Sequence, residues 1–238
     1  SRNSLFGRRR QVGAFARMRA EIAIVGAGYV GVPLAQVFAQ AGRPVLLVDV
    51  QADRVDRLNR GESYIEDVPS EVLKGFLDEG LLTATTDYDA LRDVDAILVA
   101  LPTPLSAQRE PDLSILLAAT AQIAPRLRKG HLVVIESTTY PGTTRERVRP
   151  LLEEGGLEAG RDFHLAFSPE RVDPGREDWT TQNTPKIVGG LTDECTKQAA
   201  ALYESAVETV VPVSSPEAAE LTKLLENIFR SVNIALVN

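Results

Sequence analysis

The chain contains few of the residues that several protein classes depend on. Among its 238 residues there are one cysteine and two histidines, too few for a disulfide framework or a zinc cluster. We therefore predict no metal site and a reducing, cytoplasmic location. No stretch approaches the roughly 18 uninterrupted apolar residues of a membrane span. A net charge of −7 argues against a nucleic-acid-binding protein, which would carry a basic face.

The positive charge is concentrated at the start of the chain. Residues 1–20 contain six arginines and no acidic residue. Such runs are more typical of solvated tails than of nucleic-acid or membrane arms. We therefore predict a disordered basic leader at 1–18, a folded domain at 19–213, and the start of a long helix at 214–238.

Apolar runs alternate with helical segments from Glu21 onward. Nearly continuous apolar strands separated by helices are typical of a parallel sheet covered on both faces. The predicted class is therefore α/β, a doubly wound and mostly parallel Rossmann-type sheet. The predicted strands are 21–25, 44–48, 95–101, 131–135, 162–167, 186–188 and 207–213, and the clearest helices are 29–41 and 192–203.

A glycine motif follows the first predicted strand. The segment Gly26-Ala-Gly28-Tyr29-Val30-Gly31 has the form G-x-G-x-x-G between a strand and a helix. In such a motif the three glycines permit a tight turn, close approach of a pyrophosphate, and close helix packing. Asp49 ends the second strand, where a carboxylate binds ribose hydroxyls and would repel a 2′-phosphate. The motif predicts binding of NAD in preference to NADP.

Six segments, the first of them within the glycine motif, occur in a characteristic order and carry a resemblance to a known family. Together they are similar to the nucleotide-sugar (UDP-sugar) 6-dehydrogenases, and the likeness covers residues 19–238. The segments are Gly-Tyr-Val-Gly (28–31), Leu-Pro-Thr-Pro-Leu (101–105), Glu-Ser-Thr-Thr-Tyr-Pro-Gly-Thr-Thr (136–144), Phe-Ser-Pro-Glu-Arg (167–171), Pro-Lys-Ile-Val-Gly-Gly (185–190) and Glu-Leu-Thr-Lys-Leu-Leu-Glu-Asn (220–227).

The resemblance implies oxidation of a sugar C6 alcohol to a carboxylate with two hydride transfers to NAD, within nucleotide-sugar metabolism and polysaccharide biosynthesis. It implies that Asp49 and Arg54 hold the adenosine ribose. By the same resemblance Pro102, Thr103, Ser137 and Thr138 line the cofactor cleft.

The resemblance also assigns catalytic roles. It implies that Thr138 positions a catalytic water, for which Glu170 acts as general base. Lys223 and Asn227 lie at i and i+4 of the last helix and resemble the pair that stabilises oxyanions during the oxidation.

The last predicted helix has its own sequence signals. Ser214 or Ser215 is suited to cap it, and Pro216 suits its first turn. Its apolar stripe predicts association, either with the body of the domain or with a second copy in a homodimer. The stripe comprises Leu221, Leu224, Leu225, Ile228, Val232 and Ala235.

One catalytic group of the family has no counterpart in this sequence. Members carry a cysteine nucleophile beyond the long helix, in a Gly-Gly-His-Cys type segment, whereas the single thiol here, Cys195, starts a different helix. We expect Cys195 to be an ordinary, partly buried cysteine. The chain is therefore expected to be the N-terminal half of a longer enzyme and inactive alone.

The branch of the family is suggested by likeness alone. Arg-Val-Asp-Pro-Gly (171–175) differs from the Phe-Leu-x-Glu-Gly of UDP-glucose enzymes and resembles the UDP-N-acetylhexosamine branch, with gluco and manno epimers both open. UDP-glucose 6-dehydrogenase is the alternative within the family. The alternative of another class is a stand-alone NAD-binding sensor or assembly module.

Overall fold

The computed structural model describes residues 19–104, 111–170 and 184–237, with the side chains of Asn227 and of residues 229–237 outside the description. The predicted leader and residues 171–183 likewise lie outside the described residues. Eight strands form one sheet in the order β3-β2-β1-β4-β5-β6-β7-β8. The strands are β1 (Ile22–Val25), β2 (Val45–Val48), β3 (Leu82–Thr85), β4 (Ala96–Val99), β5 (Leu132–Ile135), β6 (His164–Phe167), β7 (Lys186–Gly190) and β8 (Val210–Val213).

Helices cover the sheet on both faces. The α-helices are α1 (Gly31–Gln40), α2 (Ala52–Asn59), α3 (Ser70–Asp78), α4 (Ser114–Ile123), α5 (Arg149–Glu153), α6 (Asp193–Glu204) and α7 (Pro216–Val237). Short 3-10 helices span Tyr88–Asp93 and Ala124–Arg126, and a π-helical turn spans Thr143–Val148. None of the described helices is long and apolar enough to cross a membrane.

Each central strand divides its side chains between two cores. In β1, Ile22 and Ile24 pack into one core, whereas Ala23 and Val25 pack into the other. This follows from the two-residue period of a strand, which directs successive side chains to opposite faces. Because both faces are covered, the four central strands β1, β2, β4 and β5 are apolar at every position, as the sequence predicts.

The strand order creates a crevice at the carboxyl edge of the sheet. β1 pairs in parallel with β2 on one side and with β4 on the other. The connections after β1 and β4 therefore leave in opposite directions, and open α/β sheets bind ligands at such a switch point. The glycine segment follows β1 and lies at this crevice.

The structure confirms the predicted mostly parallel sheet and adds two features to it. β3 was not predicted, because Leu-Thr-Ala-Thr at the sheet edge lacks a continuous apolar run. The pairing of β6 with β7 is antiparallel, with Ala166 opposite Gly190 and Phe167 opposite Gly189. This reversal brings the start of β7 to the carboxyl edge of the sheet, beside the segment that follows β6.

Candidate functional site

The glycine segment has the geometry of a dinucleotide-binding loop. Gly26 has φ of +105°, a conformation that L side chains rarely adopt. A Cβ on Gly31 would lie 1.8 Å from the carbonyl oxygen of Gly26, so α1 packs closely against the turn only with glycine there. A Cβ on Gly28 would meet nothing within 4 Å, and this open space is where a phosphate can approach the backbone.

The start of α1 also leaves backbone donors available. No described side chain caps this helix end, at Val30, and Tyr29 beside it is exposed. Uncapped N–H groups at a helix N-terminus favour an anion. The loop and helix start therefore fit the pyrophosphate of NAD, as the motif predicts.

Asp49 lies in the same loop region and is held by the backbone. Its Oδ2 accepts a hydrogen bond from Ala27 N at 2.8 Å, and its Oδ1 accepts one from Gln51 N at 2.9 Å. Arg54 Nη1 lies 3.7 Å from Asp49 Oδ2. Each carboxylate oxygen has a second lone pair with which to accept a ribose hydroxyl. The structure therefore brings the two predicted ribose-binding residues together beside the glycine segment.

Tyr64 supports this loop, although the sequence analysis assigned it no role. Its hydroxyl donates to the carbonyl oxygen of Ala27 at 2.7 Å. The guanidinium groups of Arg57 and Arg54 lie 5.1 and 5.8 Å from the centre of its ring. Burial, reinforced by the charge of Asp49, raises the pKa of Tyr64 to about 12. The hydroxyl therefore remains a donor at neutral pH.

The loops after β4 and β5 meet across the crevice. Thr103 Oγ1 donates to the carbonyl oxygen of Thr138 at 2.5 Å, and Leu101 N donates to Ser137 Oγ at 3.1 Å. Ser137 is buried, whereas Pro102 and Thr138 are exposed. The predicted cleft residues therefore form one connected rim, with Thr138 accessible to water.

Glu170 lies beyond the end of β6, at the same edge of the sheet. Its side chain is 16% exposed, and its Oε2 lies 3.9 Å from Lys186 Nζ. The antiparallel register explains this approach, because continuing it three residues past Phe167 and Gly189 places residue 170 opposite residue 186. A parallel β7 would have placed Lys186 at the opposite edge.

Lys186 belongs to a buried cluster that the sequence analysis missed. Lys186 Nζ donates to Glu136 Oε2 at 2.7 Å, and the side chains are 5% and 0% exposed. The Tyr203 hydroxyl donates to Glu136 Oε1. Lys186 Nζ lies 5.2 Å from the centre of the Tyr203 ring. We call Glu136, Lys186 and Tyr203 the buried charge cluster.

Burial dominates the electrostatics of this cluster. Burial raises the pKa of Glu136. The positive charge of Lys186 opposes this rise, and the charge of Glu170 reinforces it. Burial and the charge of Glu136 raise the pKa of Tyr203 well above its usual value, so its hydroxyl stays protonated. The sequence holds one signal for this cluster: a charged residue, Glu136, follows one core strand, and another, Lys186, begins a second core strand.

The first turns of α7 are attached to the loop after β5. Ser215 Oγ accepts from Ala218 N at 3.2 Å, so Ser215 is the cap. Glu220 is buried and accepts hydrogen bonds from Gly142 N at 2.7 Å and from Thr144 N at 2.9 Å. Burial raises the pKa of Glu220, and these hydrogen bonds oppose that rise.

Past Glu220 the four stripe residues of α7 whose side chains the structure describes are exposed. Leu225 and Ile228 are 55% and 50% accessible, respectively, so packing against the body of the domain covers the helix start and not these residues. Lys223 is half-buried on the same helix. Asn227 lies in the α7 backbone, but its side chain is outside the described residues, so the predicted pairing of Lys223 with Asn227 stays a prediction.

Cys195 lies away from this edge of the sheet. It is buried at the start of α6, where Thr192 Oγ1 lies 3.2 Å from its Sγ and Leu165 N donates to that Sγ at 3.5 Å. These contacts place the thiol near the start of β6, whereas Glu170 lies beyond the other end of that strand. The thiol has the packed surroundings expected of an ordinary cysteine.

Comparison with known proteins agrees with this geometry. Residues 20–207 match the UDP-glucose/GDP-mannose dehydrogenase family, NAD binding domain. A UDP-N-acetyl-D-mannosamine dehydrogenase of Salmonella typhi is 38% identical over 227 residues, covering 91% of this chain and 53% of the relative. The chain thus spans about half the length of the curated relatives it matches.

Solved structures agree with the sequence comparison. The UDP-D-ManNAc dehydrogenase of Pyrococcus horikoshii matches with a TM-score of 0.84 and 38% identity, over 90% of this chain and 51% of that one. The NDP-N-acetyl-D-galactosaminuronic acid dehydrogenase of Methanosarcina mazei Go1 matches with a TM-score of 0.83 and 36% identity, over 92% of this chain and 49% of that one. The family match, the strand order and the glycine loop agree. This chain therefore belongs to the UDP-glucose/GDP-mannose dehydrogenase family and contains its NAD-binding domain.

Proposed function

We propose that the chain is the NAD-binding half of a dehydrogenase that oxidises the C6 alcohol of a UDP-N-acetylhexosamine to a carboxylate. The observation that carries this proposal is the grouping, at one edge of the sheet, of the dinucleotide loop, the Thr103–Thr138 rim and Glu170. NAD supplies a hydride acceptor when it is bound. The relatives named for UDP-N-acetyl-D-mannosamine favour this sugar as the substrate, with UDP-glucose as the alternative within the family.

In this proposal different residues of the chain bind the cofactor, activate water and stabilise the oxyanion. Asp49 and Arg54 orient the ribose, and the open backbone at Gly28 accommodates the pyrophosphate. After the two hydride transfers the sugar carbon is a thioester of the nucleophilic thiol. Glu170 accepts a proton from a water molecule that Thr138 orients, the oxygen of that water adds to the thioester carbon, and the C–S bond then breaks to release the carboxylate and the thiol. Lys223 and Asn227 bind the oxyanion that forms there. The nucleophilic thiol belongs to the half that this chain does not span.

Two wider proposals accompany the activity. The exposed Leu225 and Ile228 support a homodimer that buries the α7 stripe, with no nucleic-acid or membrane partner proposed. Sedimentation of the wild-type chain and of Leu225→Glu tests the dimer, which the substitution is expected to dissociate. A wild-type chain that sediments as a monomer contradicts the dimer.

The single cysteine supports a reducing location, for which we propose the cytoplasm. The relatives support a role in nucleotide-sugar metabolism and polysaccharide biosynthesis.

Cofactor binding is the first test of the proposed function. Calorimetric titration of the chain should show binding of NAD and weaker binding of NADP, because Asp49 repels a 2′-phosphate. Gly28→Ala should fold normally, because its Cβ meets no atom, and should weaken NAD binding by filling the phosphate site. A chain that binds neither cofactor would support a purely structural assembly role.

Turnover requires both halves of the enzyme. We suggest joining this chain, within α7, to the second half of the Salmonella typhi relative and following NADH formation by absorbance. UDP-N-acetylmannosamine, UDP-N-acetylglucosamine and UDP-glucose are the substrates to compare. Glu170→Gln should abolish turnover, and Cys195→Ala should preserve it. A chimera that folds and binds NAD but oxidises none of these sugars contradicts the proposed substrate class and leaves an NAD-binding sensor as the better interpretation.

A further inference from the structure

A carboxylate near the start of α7 fills a buried site made by the segment after β5. Glu220 is 0% exposed. Its Oε2 accepts a hydrogen bond from Gly142 N at 2.7 Å, and its Oε1 accepts two from Thr144, from N at 2.9 Å and from Oγ1 at 2.7 Å. Hydrogen bonds to an ionised acceptor are roughly twice as strong as neutral ones. This contact therefore holds α7 firmly to a segment 76 to 78 positions away along the chain.

The backbone that binds Glu220 has an unusual shape. Gly142 has φ of +96°, and the π-helical turn Thr143–Val148 begins directly after it. Between the two N–H groups that reach Glu220, Thr143 N and Thr143 Oγ1 both donate to the carbonyl oxygen of Tyr140, at 3.1 and 2.7 Å. Backbone N–H groups at such a turn form a concave site that favours an anion. Because a side chain of the chain itself fills this site, the site links two parts of the fold.

The hydrogen bonds of Glu220 connect two parts of the proposed active site. The loop that leads from β5 to Gly142 carries Ser137 and Thr138, whose contacts with the loop after β4 form the cleft rim. Lys223 lies about one turn past Glu220 on α7. A shift of Glu220 relative to Gly142 would therefore move Lys223 relative to the rim.

We propose that Glu220 is a positioning residue, which fixes the loop of Ser137 and Thr138 to the helix of Lys223 so that the two segments move as one unit. The inference rests on the proposed function, in which Ser137 and Thr138 line the NAD cleft. A carboxylate suits this role because both of its oxygens accept hydrogen bonds and neither donates. An amide in its place would keep one acceptor and turn an N–H group toward a backbone donor.

Hydrogen–deuterium exchange of the 238-residue chain, with and without NAD, tests this coupling. In the wild type, saturating NAD should slow amide exchange in 136–140 and also in 216–224, although we propose that the cofactor contacts only the first of these segments. In Glu220→Gln, NAD should still protect 136–140, whereas its protection of 216–224 should fall about fivefold, as expected for one lost hydrogen bond. A merely structural role would raise exchange in 216–224 equally with and without NAD.

A second variant and a matched control complete the experiment. Thr144→Val removes the Oγ1 donor and keeps the shape of the side chain, so it should also reduce the NAD protection of 216–224. It decides the question if Glu220→Gln does not fold. Glu217→Gln makes the same chemical change about one turn earlier on α7, where Glu217 pairs with Arg145 at 2.6 Å and is 32% exposed. Partly exposed ion pairs contribute little, so this control should keep the NAD protection of the wild type.

Three results overturn the proposal: NAD that leaves 216–224 unprotected in the wild type, protection unchanged in Glu220→Gln, or an equal loss in Glu217→Gln. A wild-type chain that binds no NAD contradicts the proposed function instead, and the exchange measured without NAD then decides the inference. Glu220→Gln should raise exchange in 136–140 and 216–224 together, by about fivefold. A rise confined to 216–224 would show that Glu220 does not hold the loop.

Discussion

Asp49 and Glu136 are both buried carboxylates that follow parallel strands, yet they are stabilised differently. Asp49 accepts hydrogen bonds from two backbone N–H groups close to it in the fold, those of Ala27 and Gln51. Glu136 depends on two side chains, Lys186 and Tyr203, which lie 50 and 67 positions away in sequence. Asp49 is therefore stabilised mainly by the loop, whereas Glu136 is stabilised by a pair of residues that mutation can remove.

His131, like Asp49, is held by hydrogen bonds to the backbone. The ring of His131 is buried between Arg128 N, which donates to Nδ1 at 3.1 Å, and the Val94 carbonyl oxygen, 2.9 Å from Nε2. These contacts require the neutral tautomer with its proton on Nε2. The difference between backbone and side-chain partners leads to four predictions.

The largest effect is expected from Lys186→Met. Removing one partner of a buried ion pair leaves an uncompensated charge and typically costs about 3–5 kcal/mol. Urea unfolding should show this loss for Lys186→Met and a smaller one for Glu136→Gln/Lys186→Met, which removes both charges. Equal losses in the single and double variants would show that shape, not charge, is responsible.

The second effect concerns pH and His131. Burial, reinforced by the charge of Arg128, lowers the pKa of His131 from 6.5 to about 4 in the folded chain. Between these values the unfolded chain binds a proton that the folded chain does not, so the free energy of unfolding should fall as the pH falls. The loss is at most about 3 kcal/mol. His131→Gln should make the free energy of unfolding depend less steeply on pH between 6.5 and 4. An unchanged dependence on pH would contradict the lowered pKa of His131.

The third prediction concerns Asp49→Asn. The amide retains one acceptor and places an N–H group toward a backbone donor, so we expect a stability loss of about 1 kcal/mol. NAD affinity should fall by about tenfold, and the preference for NAD over NADP should shrink. Calorimetry with both cofactors measures this. A stability loss as large as that of Lys186→Met would break the comparison between the two carboxylates.

The smallest effect is expected at the start of α7. Ser215→Ala removes the hydrogen bond from Ala218 N and should lower the free energy of unfolding by about 0.5 kcal/mol. Ser214→Ala is the matched control and should change nothing measurable. Equal effects in thermal unfolding would show that the cap does not depend on the Ser215 hydroxyl.

The sequence predicts the strands and the cofactor-binding motif, which depend on short sequence patterns. The apolar runs predict seven of the strands because core strands buried on both faces need no polar position. The glycine segment and Asp49 were found from the spacing of the motif, which places an acidic residue about 20 positions after the glycines. β3 was missed because Leu82–Thr85 at the sheet edge has no apolar run.

The buried charge cluster was beyond sequence reasoning for a different reason. Glu136 and Lys186 come together only because β7 runs antiparallel to β6, and nothing in the apolar pattern distinguishes the two strand directions. Tyr203 lies on a helix whose amphipathic pattern fits packing alone. The chemistry of these residues depends on topology, which spacing along the chain does not encode.

The antiparallel pairing of β6 and β7 also has a consequence for the order of folding. Residues 170 and 186 are 16 positions apart, whereas Lys186 and Glu136 are 50 apart. The entropy of closing a loop grows with its length, so contacts between β6 and β7 are accessible earlier than the contact with Glu136. We therefore expect the contacts between β6 and β7 to form before Glu136 is buried, so that Glu136 loses its hydration only after Lys186 has come close to its final position.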